Sequence, residues 1–284
     1  MIRGAGGGDN LDDRRKSSMN AVELIETLPA GLHRVRDDDG TPLIAKIRRD
    51  APDDFFPAEA RGLAALRHTQ TLRVPAVFAV SARGIAMEDL GSGRPRSDDW
   101  ERAGAALARL HRITDSRFGF DADGWCGDSP QDNTRDDDGY RFFAQRRIEP
   151  QVARAYERDL LDDSNRRLAE RICAQLPQLV PTQPASLTHG DLWIANLHAC
   201  ANGELALIDG GAVHYGWAEA DLAMLTLFGE PPPAFFASYA EASGVDPSWR
   251  ERAPIYNLYH LLNHLNLFGS GYFGAVRAIL RRYG

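Results

Sequence analysis

Asp191, Asn196 and Asp209 are the side chains of this sequence whose types and spacing carry the clearest chemistry. The first two lie five residues apart in Thr188-His189-Gly190-Asp191-Leu192-Trp193-Ile194-Ala195-Asn196, and Asp209 follows 13 residues after the Asn at the end of an apolar run. Phosphoryl transfer to an alcohol needs one carboxylate to accept a hydrogen bond from the incoming hydroxyl. It also needs oxygen ligands, such as an amide and a second carboxylate, that hold Mg2+ against nucleotide phosphates. Asp191 fits the first role, and Asn196 and Asp209 fit the other two. Singly, an Asp after Gly is most often a turn residue and an Asn a loop amide, so the order and spacing of all three carry the reading.

The surrounding sequence must bring these groups together. Asn202-Gly203 is a two-residue hairpin signal and Leu205 to Ile208 a short apolar strand, so the chain is expected to return Asp209 beside the loop of Asp191 and Asn196. This arrangement resembles the catalytic and metal loops of protein-kinase-like folds, with His-Gly-Asp in place of the His-Arg-Asp of protein kinases. The replacement is typical of small-molecule kinases of the aminoglycoside and choline kinase type, and it argues against a protein hydroxyl as acceptor. Upstream, Leu43-Ile44-Ala45-Lys46-Ile47 reads as a strand after an Asp39-Gly40 turn. A helix over 54–68 follows, with Phe56, Ala60, Leu63 and Ala64 on one face. In kinase-like folds a strand lysine contacts the α- and β-phosphates and a helix glutamate keeps it aimed, which nominates Lys46 and Glu59. Two further strands, around Val77–Val80 and Ile85–Met87, lead into Glu88, Asp89 and Leu90, the segment expected to meet adenine through its backbone. Behind a Ser97-Asp98 start, Trp100, Ala103, Leu107 and Leu110 repeat at helical spacing.

Composition narrows the partners. The 284 residues are 43% hydrophobic and 26% charged, enough for one large or two modest units with a real core. A formal charge of −7 disfavours nucleic acid or an anionic membrane surface as partner. Cys126, Cys173 and Cys200 are odd in number and lack a Cys-x-x-Cys pattern, which implies neither a disulfide framework nor a zinc site and fits a cytoplasmic protein. No apolar stretch approaches the ~20 residues of a membrane span, and the N-terminus lacks a signal-peptide core. Residues 1–18 are rich in Gly, Asp and Arg and read as a disordered leader. The Gly4–Gly8 run lacks the Gly-Lys-Ser/Thr and strand-to-helix context of a phosphate loop.

Further motifs sharpen the resemblance. The His189 to Asn196 loop, Ala218-Glu219-Ala220-Asp221-Leu222-Ala223-Met224 and the stretch from Tyr256 to Phe268 are similar to the fructosamine (ketosamine) 3-kinase family. So are Trp125-Cys126-Gly127, Pro130 to Asn133, Phe142-Phe143 and Arg146-Arg147. The likeness covers about 21–284. It implies a bilobal α+β protein-kinase-like fold: a small antiparallel-sheet nucleotide lobe over 19–89 and a mainly helical catalytic and substrate lobe over 90–284. It also implies ATP and Mg2+ between the lobes and phosphorylation of the 3-hydroxyl of a free or protein-bound ketosamine, whose unstable product releases the amine. Trp193 is then expected to wall the sugar pocket. Two departures stand out. Where the family has Pro-Ala after the metal Asp, this chain has Gly210-Gly211-Ala212, one residue longer and more flexible by composition. The nucleotide loop holds only Gly31.

His260 and His264 share a helical face at a spacing that can bind zinc, but no Glu lies between them and no third ligand is evident in sequence. The simpler expectation is that Tyr259, Leu262 and Leu265 pack the core while Asn263, His264 or Asn266 reaches the cleft as a substrate hydrogen-bonder or stays a simple buried polar group. Asp221 is expected to pin the catalytic loop by accepting hydrogen bonds.

Overall fold

Among the described residues, period-two patterning before residue 90 resolves into five strands: β1 (Glu23–Thr27), β2 (Leu32–Arg36), β3 (Pro42–Ile47), β4 (Val77–Ser81) and β5 (Gly84–Glu88). The computed structural model describes residues 23–28 and 31–284, so the expected leader over 1–18 lies outside the described residues. The strands pair antiparallel in the order β1-β2-β3-β5-β4. Successive side chains of a strand face opposite ways. Leu43 and Ala45 therefore join Val35 and Ala86 in the core on one face, and Lys46, paired with Leu32 and Ile85, belongs to the other. The turn between β2 and β3 closes where expected, with the Gly40 N–H donating to Asp37 O and the Thr41 N–H to the Asp37 carboxylate.

Two compact units emerge from the packing. One holds the described residues up to Pro57 together with Pro75–Asp89; the other holds Ala58–Val74 and Leu90–Gly284. Helix α1 (Phe55–His68) therefore begins in the first unit and runs on in the second. Its buried stripe is Phe56, Glu59, Leu63 and Leu66, while Ala64 is exposed. The stripe is rotated from the expected one because a carboxylate, and not Ala60 or Ala64, occupies its centre.

The second unit contains α2 (Ser97–His111), β6 (Thr114–Asp115), β7 (Gly124–Cys126), β8 (Ser129–Gln131) and α3 (Gly139–Phe143). A π-turn over Ala144–Ile148 joins α3 to α4 (Glu149–Glu157), which is followed by α5 (Asp163–Leu179), β9 (Ala185–Thr188), β10 (Leu197–Ala199), β11 (Leu205–Leu207) and β12 (His214–Gly216). The chain ends with α6 (Ala218–Met224), α7 (Pro233–Ser243), α8 (Trp249–Phe268) and α9 (Phe273–Tyr283). Helix α2 starts at a capping box in which the Asp99 carboxylate accepts the Arg96 N–H at 2.7 Å, and it buries Ala103, Leu107 and Leu110. Helix α8 is buried almost all round, from Ile255 through Leu265, as expected of a helix at the centre of a unit.

Short strands position the catalytic stretch. β9 is fully buried and pairs with β6 and β12. β10 and β11 form the hairpin after Asn196, with Leu197 opposite Leu207. Its loop is one residue longer than the Asn-Gly signal suggests: the Cys200 N–H donates to Glu204 O, and Gly203 at φ +89° closes a loop of Ala201, Asn202 and Gly203. Among the described residues no helix is long and apolar enough to cross a membrane, and the three cysteines are free thiols.

Candidate active site

β9 delivers Thr188 to the edge of a loop whose backbone is fixed from below by one buried carboxylate. Asp221, on α6, accepts the His189 N–H at 2.7 Å through Oδ2 and the Gly190 N–H at 3.0 Å through Oδ1. Its Oδ2 also meets His111 Nε2 at 3.2 Å, and His111 Nδ1 lies 2.8 Å from the Tyr239 hydroxyl. Burial pushes the Asp221 carboxyl up, but His111, His189 and the backbone donors outweigh it and hold the group below its usual range. His189 is fully buried; its Nε2 hydrogen-bonds Ile208 O at 2.7 Å and so ties the loop to the segment between β11 and Asp209. The Asn196 amide donates back to Asp191 O at 2.8 Å, and the Ile208 N–H donates to Asn196 O at 3.2 Å. Asp191 and Asn196 are thus tied together and to Ile208, the residue before Asp209.

Sterics explain the glycine of His-Gly-Asp. Gly190 has φ +80°, and a Cβ there would lie 2.1 Å from Ala212 O. No arginine, or even alanine, fits without moving the Asp209–Ala212 turn. The glycines after Asp209 are also closely packed: a Cβ on Gly210 would lie 2.6 Å from Leu63 N and one on Gly211 3.0 Å from Trp125 O, and in return a Cβ on Gly62 of α1 would lie 1.9 Å from Gly210 O and one on Gly124 of β7 2.5 Å from Gly211 O. Gly210-Gly211-Ala212 is therefore a close-packed 3-10 turn, with Gly210 and Ala212 buried, and not the looser loop its composition suggested. Asp209 itself adopts the left-handed conformation, φ 68° and ψ 62°, which Asp tolerates better than most residues.

The Asp191 side chain is 23% exposed, with Oδ1 lying 3.7 Å from His260 Nδ1. Burial, then Asp209, then Asp221 push its carboxyl up to about 7. Asp191 lines a cavity of about 470 Å3 shared with Cys126, Trp193, Asn263 and His264. Phe228, Phe268 and Tyr272 form its aromatic wall, with ring centroids 4.8, 5.3 and 5.1 Å from the His264 ring. A space of this size, apolar on one side and carrying a carboxylate on the other, suits a small hydroxylated molecule.

The other expected residues fall as follows. Trp193 is 37% exposed on the loop and borders the cavity. His264 also borders it, its Nδ1 hydrogen-bonding His260 O at 2.7 Å, so the two histidines do not converge on one point. Asn263 reaches the cavity, whereas Asn266 is spent on Gln151. Lys46 lies on β3 of the first unit, and Glu59 on α1 is only 3% exposed, unlike an ordinary surface charge. Glu88 ends β5 and accepts the Ala76 N–H; Asp89 receives Arg34 Nε at 2.6 Å. Leu90 O accepts the Ala201 N–H at 2.9 Å, so that carbonyl is already engaged. Sequence reasoning missed Cys126, His260 and the Phe228–Phe268–Tyr272 wall as neighbours of Asp191. Their only sequence signal was the Trp125-Cys126-Gly127 motif and the polar face of α8.

The family model described as fructosamine kinase matches residues 20–283. A candidate ketoamine kinase of Synechocystis is 40% identical over 242 residues, spanning 84% of this chain and 81% of the relative. The chloroplastic protein-ribulosamine 3-kinase of Arabidopsis thaliana is 34% identical over 259 residues, 86% of this chain and 77% of the relative. The crystal structure of a candidate fructosamine-3-kinase from Thermobifida fusca superposes with a TM-score of 0.83 at 35% identity, covering 97% of this chain and all of that one. The sheet unit and the helical unit are accordingly the two parts of a protein-kinase-like α+β fold, and the chain is an ATP-dependent phosphotransferase. It belongs to the fructosamine kinase family.

Proposed function

We propose that this enzyme transfers the γ-phosphoryl group of ATP to the 3-hydroxyl of a ketosamine, a fructosamine or ribulosamine carried by a free or protein-bound amine, as a step in deglycation. The observation that carries this reading is the cavity that joins Asp191 to Trp193 and His264, in a chain similar to ketoamine and protein-ribulosamine 3-kinases. Asp191, raised to about 7, is poised to accept the hydroxyl proton near neutral pH. Trp193 stacks on the sugar face, and His264 with its aromatic neighbours orients the amine-bearing end.

The donor set fits Mg2+. Asn196 offers an amide oxygen and Asp209 a carboxylate, both hard ligands, and the repulsion that Asp209 and Asp221 exert on Asp191 is a field that a divalent cation would offset. When bound, the ion neutralises charge on the β- and γ-phosphates. Lys46 in the first unit and Glu59 in the second are the candidate phosphate-side residues, and the segment from Glu88 through Asp89 to Leu90 is the candidate adenine contact. The chain's own contribution is positioning: Asp221 fixes the His189-Gly190 backbone, and that backbone fixes where the Asp191 carboxylate stands.

A coupled phosphotransfer screen of ribulosamines, fructosamines and aminoglycosides decides the substrate class. Turnover on ketosamines with none on aminoglycosides is expected; the reverse would make this a kinase of another small hydroxylated metabolite, and nucleotide binding without turnover would make it a regulator.

A further inference from the structure

Three segments far apart in sequence bring three metal-ligating groups to one point beside the reacting carboxylate. Cys126 at the end of β7, Asp191 on the catalytic loop and His260 in the middle of α8 each present a ligand atom, all within 4.8 Å of one another. Cys126 Sγ lies 3.9 Å from His260 Nδ1, and that nitrogen lies 3.7 Å from Asp191 Oδ1. A tetrahedral zinc ion with bonds of roughly 2.0–2.3 Å separates its ligand atoms by about 3.3–3.8 Å, so two of the separations already lie near that range and the side chains must close the remaining spread of up to 4.8 Å by about 1 Å. We propose that Cys126, His260 and Asp191 form an inhibitory site for a thiophilic divalent cation of the Zn2+ class, reached through the substrate cavity.

The chemistry of the donors separates this ion from Mg2+. One sulfur, one imidazole nitrogen and one carboxylate suit Zn2+ or Cd2+, whereas Mg2+ takes oxygen ligands in octahedral array. Burial holds the His260 imidazole neutral, so its nitrogen lone pair is available to a cation. Burial also keeps the Cys126 thiol protonated; the incoming ion takes the proton's place on sulfur, and the proton leaves to solvent.

A second observation points to a ligand at the same place. Asn263 is 1% exposed, donates to Cys126 O at 3.0 Å and Sγ at 3.4 Å, and lines the cavity. Its buried Oδ1 has no hydrogen-bond partner among the described residues. A buried carbonyl of this kind is an acceptor for the water that completes a three-ligand zinc site. Cys126 and Asp191 face the same cavity, which gives the ion its entry path. The earlier objection to zinc at His260, that no third ligand was evident, is removed by Cys126 and Asp191 and not by His264.

The site itself rests on geometry; that its occupation stops turnover rests on the reading of Asp191 as the base. The full chain, freed of any affinity tag, is titrated with Co2+ as a spectroscopic stand-in and with Zn2+ in equilibrium dialysis. One equivalent of metal and a thiolate-to-cobalt charge-transfer band are expected in the native protein, in Cys173→Ser and in Cys200→Ser. The band should vanish in Cys126→Ser, and Zn2+ affinity should fall at least ~10-fold in Cys126→Ser and His260→Gln. No band in the native protein, or a band that survives Cys126→Ser, overturns the site. With Mg2+–ATP saturating, Zn2+ should inhibit reversibly and in competition with the sugar, and a chelator should restore activity. Stoichiometric binding with the band present but with full turnover would leave the site standing and refute the role given to Asp191.

Discussion

Gly190 donates its backbone N–H to Asp221 Oδ1 at 3.0 Å while its Cα faces the Ala212 carbonyl too closely for any side chain. One contact pulls the catalytic loop onto α6 and the other presses it against the turn after Asp209, so Asp191 is held from both sides.

Removing the pull should uncouple geometry from chemistry. Asp221→Asn replaces an acceptor of two backbone N–H groups by an amide with one acceptor oxygen, leaving a buried donor unsatisfied at a cost of about 1–3 kcal/mol. Turnover should fall at least ~10-fold with a lower Tm. In the native protein the ionised Asp221 is favoured by folding. Its stabilisation is present above the ordinary Asp range and is lost as pH falls through the lowered folded value. Thermal melts of both proteins across acid pH check this: the gap between them should close as pH falls.

Adding a methyl group tests the press. Gly190→Ala must place its Cβ 2.1 Å from Ala212 O at φ +80°, so the turn must shift. Turnover should drop by about 100-fold or more, with Tm several degrees lower; an active, equally stable variant would show that the close approach is dispensable.

Asp191 should reveal itself as the base. Asp191→Asn should lower turnover by roughly 100-fold or more while ATP still binds. In the native enzyme, kcat/KM should rise with pH through the region of about 7 set by burial, Asp209 and Asp221. The linked stability has the opposite sign. The folded state holds this proton more tightly than the unfolded chain, so stability falls as pH rises from the ordinary Asp range to about 7. Asp191→Asn should therefore melt higher than the native protein at pH 8, and the difference should shrink toward pH 4.

The metal assignment is best probed with Asp209→Asn, because Asn tolerates the left-handed backbone that this residue adopts. ATP affinity measured by calorimetry should lose its dependence on Mg2+. With one negative charge gone, the pH midpoint attributed to Asp191 should also move down. An unchanged Mg2+ effect would remove Asp209 from the metal site.

Trp193 stands on the cavity side of the loop and should matter to the sugar more than to the nucleotide. Trp193→Ala should raise KM for a ketosamine at least ~10-fold, with KM for ATP changed by less than about twofold. Equal losses for both substrates would place the indole elsewhere in the reaction.

Local sequence carried much of this protein. Strand alternation around Lys46, the helical repeat through Leu107 and Leu110, and the His-Gly-Asp to Asn spacing were legible because each depends on residues within a few positions of one another. The expectation that Asp221 pins the loop was legible too, through the family motif. Local signals erred where a neighbour from elsewhere decided. Gly210-Gly211 reads as flexible until Gly62 and Gly124 are seen packed on it, and the apolar stripe of α1 reads as running through Ala60 and Ala64 until Glu59 is seen buried at its centre. The company kept by Asp191 was beyond sequence altogether. Cys126 and His260 are 134 residues apart, and only the docking of β7 against α8 sets their side chains within 3.9 Å. Periodicity reports which face of an element is buried, but which atoms meet across that face is settled by packing among distant segments.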